Sequence, residues 1–114
     1  MTNTVVTVRG DIPAGVAFNA DGLVPVVVQE HDTREVLMMA WMDREAISRT
    51  IAEGRAVYFS RSRQEHWRKG DTSGNVQMVH SLALDCDGDT LLMQVSQTGP
   101  ACHTGHATCF GDHR

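Results

Sequence analysis

Between Asp85 and Phe110 the chain carries all three of its cysteines, Cys86, Cys102 and Cys109, and a run of carboxylates, Asp85, Asp87 and Asp89. Soft thiolates suit zinc and hard carboxylates suit magnesium or calcium, so one short segment offers ligands to two classes of metal. An odd number of cysteines cannot all pair within one chain, which makes a disulfide framework a poor explanation. Cys86 precedes Cys102 by sixteen positions and Cys109 follows by seven. No Cys-x-x-Cys pair results, so spacing alone supports zinc weakly and a redox couple hardly at all. Three buried thiols packed as small apolar side chains are the plain alternative. Against it, Cys102 and Cys109 lie in a polar stretch from Pro100 to Phe110 rich in glycine, threonine and histidine. Three thiolates around zinc leave one tetrahedral position, closed by a histidine in a structural site or held by water in a catalytic one. His103, beside Cys102, is the candidate for proton transfer, whereas His106 reads as a solvated surface histidine.

Asp87-Gly88 is by itself a turn signature, with or without a metal. A tight two-residue turn would oppose Cys86 to Asp89 and scatter the aspartates. A more open, extended connection would put Asp85, Asp87 and Asp89 on one side and Cys86 on the other. Carboxylates converging there would repel one another unless a cation or strong donors compensate. The run is no EF-hand, because its glycine falls at the fourth position and Ser96 stands where the twelfth-position glutamate would be; magnesium keeping several waters fits better. A second candidate stretch runs from Ser60 to Gly74. There Arg61, Arg63, Arg68 and Lys69 alternate with Ser60, Ser62, Thr72, Ser73 and two glycines. Guanidinium forks, an ammonium, hydroxyls and open backbone amides suit phosphate, although Walker A spacing is absent and a solvated charged loop is the plain alternative. Trp67 could pack in the core, the commoner role, or stack on a heterocyclic base.

These residues need a frame. The 114 residues, 41% hydrophobic, fit one domain over 1–114 with a single core that needs no disulfides. A formal charge of -4 gives no overall attraction to nucleic acid or anionic membranes. No apolar run approaches bilayer length and the start has no leader pattern, so a cytoplasmic protein is expected. Residues 1–22 are rich in turn formers, with Val16 and Phe18 as side chains that could dock. Val24 to Gln29 and Val36 to Met42 read as a β-hairpin. Asp43 as N-cap, Glu45 in the first turn, Ala46, Ile47, Thr50 and Ile51 on one face and Gly54 past the end predict a helix. Strands follow at Ala56 to Ser60, Val76 to Leu84 and Thr90 to Gln97. The order predicts an α+β domain with a mainly antiparallel β-sheet and one main helix.

Several blocks, taken together, closely resemble phosphoribosyl-AMP cyclohydrolase, an enzyme family of histidine biosynthesis. They are Gln29 to Met42, Phe59-Ser60-Arg61-Ser62-Arg63, Trp67 through Asn75, Asp85 through Asp89, Cys102-His103-Thr104-Gly105 and Cys109-Phe110. The resemblance covers Leu23 to Phe110 and leaves 1–22 as a variable N-terminal segment. It implies an intertwined homodimer with active sites at the subunit interface and a phosphorylated nucleotide as substrate. It further implies zinc held by Cys86 of one chain with Cys102 and Cys109 of the other, and magnesium at Asp85, Asp87 and Asp89. Arg61, Arg63, Lys69 and Ser73 become expected phosphate contacts and His103 the expected proton carrier. Two positions depart from the pattern: His66 where leucine is usual and Asp71 where glutamate is commoner. The His-x-Glu and Pro-Cys-x-x-Cys signature of zinc deaminases is absent. The cyclohydrolase step alone is expected, without the pyrophosphohydrolase domain some members carry downstream. The rival reading is a non-catalytic zinc-stabilised binding module.

Overall fold

The computed structural model describes the backbone of residues 5–7 and all of residues 15–110. Seven strands and one helix follow in the order β1 (Val5–Thr7), β2 (Val24–Glu30), β3 (Val36–Met42), α1 (Arg44–Glu53), β4 (Val57–Ser60), β5 (Glu65–Arg68), β6 (Gln77–Leu84) and β7 (Leu91–Gln97). Five strands form one sheet in the order β1-β6-β7-β2-β3, and β4 and β5 form a separate two-stranded sheet. Every pairing is antiparallel except β2 with β7, which run parallel from Val26↔Leu91 to Glu30↔Val95. The architecture is therefore α+β with a mostly antiparallel sheet and one helix.

Alternation dictates which sheet face meets the core. Val24, Val26 and Val28 of β2 and Leu91, Met93 and Val95 of β7 are buried, the period of two expected of a half-covered sheet. Pro25 stands near the start of β2, paired with Trp41 of β3 but ahead of the β7 pairing, which begins only at Val26. The helix begins where Asp43 Oδ1 accepts the Ala46 N–H at 2.8 Å. It ends where Gly54 takes a left-handed conformation and donates to the Thr50 carbonyl. Its buried face is Ala46, Ile47, Thr50 and Ile51. Thr50 is satisfied there by reciprocal hydrogen bonds with the backbone of Val57, which fasten α1 to β4.

Two strands escaped the sequence reading. β1 lies in the stretch assigned to surface turns, where three residues carry too little periodicity to register, although Val16 and Phe18 do pack against the core as expected. β5 lies inside the charged stretch read as a loop. Its pattern Glu65-His66-Trp67-Arg68 shows no apolar alternation, because pairing with β4 places it at the periphery with no residue fully buried.

Candidate functional site

The hairpin of β6 and β7 ends at the Leu84↔Leu91 pair, and the five residues from Asp85 to Asp89 turn the chain. The Asp85 N–H donates to the Thr90 carbonyl at 3.0 Å and the Gly88 N–H to the Asp85 carbonyl at 3.1 Å. Asp85 Oδ1 accepts from the backbone N–H groups of Asp89, at 3.0 Å, and Thr90, at 3.2 Å. The result is neither the two-residue turn nor the extended connection, but a wider turn that curls around the Asp85 side chain. Gly88 makes it possible: its φ is +80°, and a Cβ there would strike the Gly15 carbonyl. Ligand oxygens of Asp85, Asp87 and Asp89 consequently lie within 4.8 Å of one another. Their electrostatics differ. A hydrogen bond with Asp89 and the charges of Asp85 and Asp89 push the Asp87 carboxyl above its ordinary value. Asp85 loses some solvent, which works the other way, yet the Thr90 N–H and its neighbours' donors hold it below. Three crowded carboxylates of this kind can hold a cation.

The thiols are arranged otherwise. Cys86 sits exposed on the aspartate turn, while Cys102 is buried in the loop after β7. That loop closes on itself through Cys102 N–H to the His106 carbonyl and Gly105 N–H to the Cys102 carbonyl. Its far end is anchored on β3. The register between β2 and β3 slips between Val28 and Gln29, leaving Leu37 as an extra, bulged residue whose carbonyl is free of the ladder. That carbonyl accepts the Cys109 N–H at 2.6 Å and the Thr108 hydroxyl at 3.1 Å. At the near end Lys69 Nζ donates to the Ala101 carbonyl at 2.8 Å. Cys102 and Cys109 hydrogen-bond to each other. The Thr104 hydroxyl, its backbone, Cys109 and the Lys69 charge pull the Cys102 thiol down, whereas desolvation and then Cys102 push Cys109 up. Two hydrogen-bonded thiols, one of them made more acidic, suit two ligands of a soft cation.

Cys86 does not join them. It turns off β6 toward β7, and Cys109 hangs from β3, two strands beyond β7, a separation of about 10 Å. Sulfurs sharing one zinc at ~2.3 Å each lie within about 5 Å. Among the described residues only the three aspartates form a group of three or more convergent ligands. His103 is exposed beside Cys102. His106, read as merely solvated, instead binds the Thr104 hydroxyl through Nδ1 at 2.8 Å, and that hydroxyl contacts Cys102 Sγ at 3.0 Å.

The basic stretch splits between two grooves that share Trp67. Arg63, Lys69, Thr72 and Ser73 line a polar one of about 360 Å³. Arg61 lines the other, about 560 Å³ and largely apolar, with its guanidinium over the Trp41 ring at 4.5 Å. Arg68 lines the polar groove as well, but its guanidinium is taken up by Asp71 at 2.8 Å and Glu53 at 2.9 Å. Trp67 takes the core role, packed on the hydrophobic cluster with its ring 4.9 Å from Tyr58. Both departures from the expected pattern have partners: His66 Nε2 binds the Asp43 carboxylate at 2.8 Å, and Asp71 also pairs with Arg55 at 3.1 Å. The residue that sequence reasoning missed is Trp41, hidden as one more apolar residue of β3.

The family model described as phosphoribosyl-AMP cyclohydrolase matches residues 38–111. A protein of a Nocardioides species bearing that name is 66% identical over 92 residues, covering 81% of this chain and 75% of its own length. A namesake from Clavibacter michiganensis subsp. michiganensis is 62% identical over 101 residues, 88% of this chain and 76% of its own. One from Alkalilimnicola ehrlichii is 59% identical over 105 residues, 90% of this chain and 74% of its own. The matched span contains the turn, the thiol loop and both grooves, and the chain belongs to the phosphoribosyl-AMP cyclohydrolase family of hydrolases.

Proposed function

We propose that the chain opens the adenine ring of N1-(5-phosphoribosyl)-AMP hydrolytically, giving the formimino carboxamide ribotide, in the third step of histidine biosynthesis. The observation that carries this reading is a thiol pair, Cys102 and Cys109, whose third partner one chain cannot supply. Two copies in an intertwined homodimer would supply it, with Cys86 of the partner subunit completing each site. Alkylation at N1 leaves the purine electron-poor, so water adds at the carbon bearing the exocyclic amine and the bond from that carbon to the alkylated nitrogen breaks. Zinc bound by the three thiolates would supply the acidity this water needs, lowering its pKa from about 15.7 toward 7. His103 would carry a proton to the departing nitrogen. Asp85, Asp87 and Asp89 would hold magnesium, and Arg61, Arg63, Lys69 and Ser73 would bind phosphate. The setting is the cytoplasm; among the described residues no helix is long and apolar enough to cross a membrane.

The test is a spectrophotometric assay of phosphoribosyl-AMP opening alongside metal analysis and chelation. Zinc removal is expected to abolish turnover while strand content in circular dichroism largely persists. Unfolding on zinc loss, with no ring opening by the zinc-replete protein, would instead support a zinc-stabilised binding module.

A further inference from the structure

The chain's two tryptophans have different surroundings. Trp67 is spoken for by Tyr58 and the core, and Lys69 stands 5.9 Å from its ring centre. Trp41 is half-buried on β3 and its only partner of this kind among the described residues is the Arg61 guanidinium, 4.5 Å above the ring. Arg61 itself is exposed, and no hydrogen bond or ion pair of its side chain is present among the described residues. Together they wall a groove of about 560 Å³ with Met38, Phe59, Ser60 and Ser62, a size and a mix of apolar walls with few polar groups that suit a nucleotide base. Met38, at one end of the groove's lining, follows Leu37, whose carbonyl holds Cys109, so the groove and the thiol loop are both built on β3.

From this arrangement we infer that Trp41 is the platform for the substrate's heterocycle, and that Arg61 occupies the platform until the ring displaces it. An indole face attracts a cation and an electron-poor ring through the same negative π-density, so one can replace the other. Arg61, released, is a long fork with Ser60 and Ser62 beside it and can turn to a phosphate oxygen. The indole would thus select an N1-alkylated purine over a sugar phosphate. This assignment rests on the ring-opening reading for the identity of the heterocycle.

Calorimetric titration of the metal-replete protein with three probes, N1-methyl-AMP, N1-methyladenosine and ribose 5-phosphate, tests it. Trp41→Leu is expected to weaken N1-methyl-AMP about tenfold or more, as loss of a base-stacking aromatic does, and to leave ribose 5-phosphate unchanged. Trp41→Phe is expected to retain most of the affinity. Arg61→Leu, at an exposed side chain, should weaken ribose 5-phosphate yet leave N1-methyladenosine as tight as in the parent or tighter, because a competitor for the ring face is gone. The platform is overturned if Trp41→Leu binds N1-methyl-AMP like the parent, if it loses all three probes equally, or if Arg61→Leu weakens the nucleoside. Absence of ring opening by the parent would defeat the catalytic reading while the titrations still report on the platform.

Discussion

The aspartate turn and the thiol loop are both short, polar and built around potential metal ligands, but they are assembled by opposite means. The turn is local: three carboxylates from five consecutive residues converge through hydrogen bonds made almost wholly within the turn, and only the packing of Gly88 on Gly15 and Ala17 reaches outside it. The loop is remote: its two thiols are fixed by a bulge in β3 at one end and by Lys69 at the other, and the remaining cysteine, Cys86, lies across the sheet. A site made by one turn forms when its hairpin forms. A site made by distant contacts depends on the whole fold and, on the reading proposed above, on a second copy.

Breaking the remote site is expected to have the largest effect. Cys102→Ala should bind no zinc by metal analysis and lose at least about a thousandfold in ring opening, since water no longer meets an acidifying metal. Its magnesium titration, followed by calorimetry, should be that of the parent. Full activity in this variant would remove the thiols from the chemistry altogether. Lys69→Met comes next. If the ammonium serves mainly to hold the Ala101 carbonyl and to favour the neighbouring thiolates, zinc affinity measured by chelator competition should fall about tenfold, as for residues that support metal ligands from behind. If Lys69 is chiefly a phosphate contact, zinc affinity will be unchanged and only ribose 5-phosphate binding will weaken.

The two sites also differed in how far the sequence could reveal them. Local features were readable: the β2–β3 hairpin, the helix with Asp43 and Gly54 at its ends and the clustering of Asp85, Asp87 and Asp89 each depend on neighbours a few residues away. Even there the path was misjudged, because no period-two argument anticipates a turn wrapped around its own first side chain. Contacts between distant residues left no local trace. Nothing around Leu37 announces a bulge that will carry Cys109, nothing in Lys69-Gly70 announces a bond to Ala101, and His106 looks solvated until Thr104 is folded beside it. Trp41 is the plainest case, since its role depends on an arginine twenty positions later that comes back across it.

The smallest effect should come from the local site; it should change sign with magnesium and fade as pH falls. Asp87 is held above its ordinary value by Asp89 and by the charges around it. A carboxyl whose folded value exceeds its unfolded value favours folding only while protonated, and that contribution is lost as pH rises through the folded value. At neutral pH without a divalent cation, ionised Asp87 therefore strains the turn. Asp87→Asn should relieve that repulsion and melt slightly above the parent, and the gap should close as pH falls through the carboxylate range and the parent's own Asp87 gains its proton. Added magnesium should reverse the order, stabilising the parent more because it keeps the third carboxylate, with the midpoint of the variant's magnesium titration moved upward. Asp85→Asn should behave differently: Asp85 lies below its ordinary value and accepts two backbone N–H groups, so its ionised form supports the turn at neutral pH and that support fades on acidification. Identical melting curves for Asp87→Asn and the parent with and without magnesium would show that the three carboxylates do not act as one site.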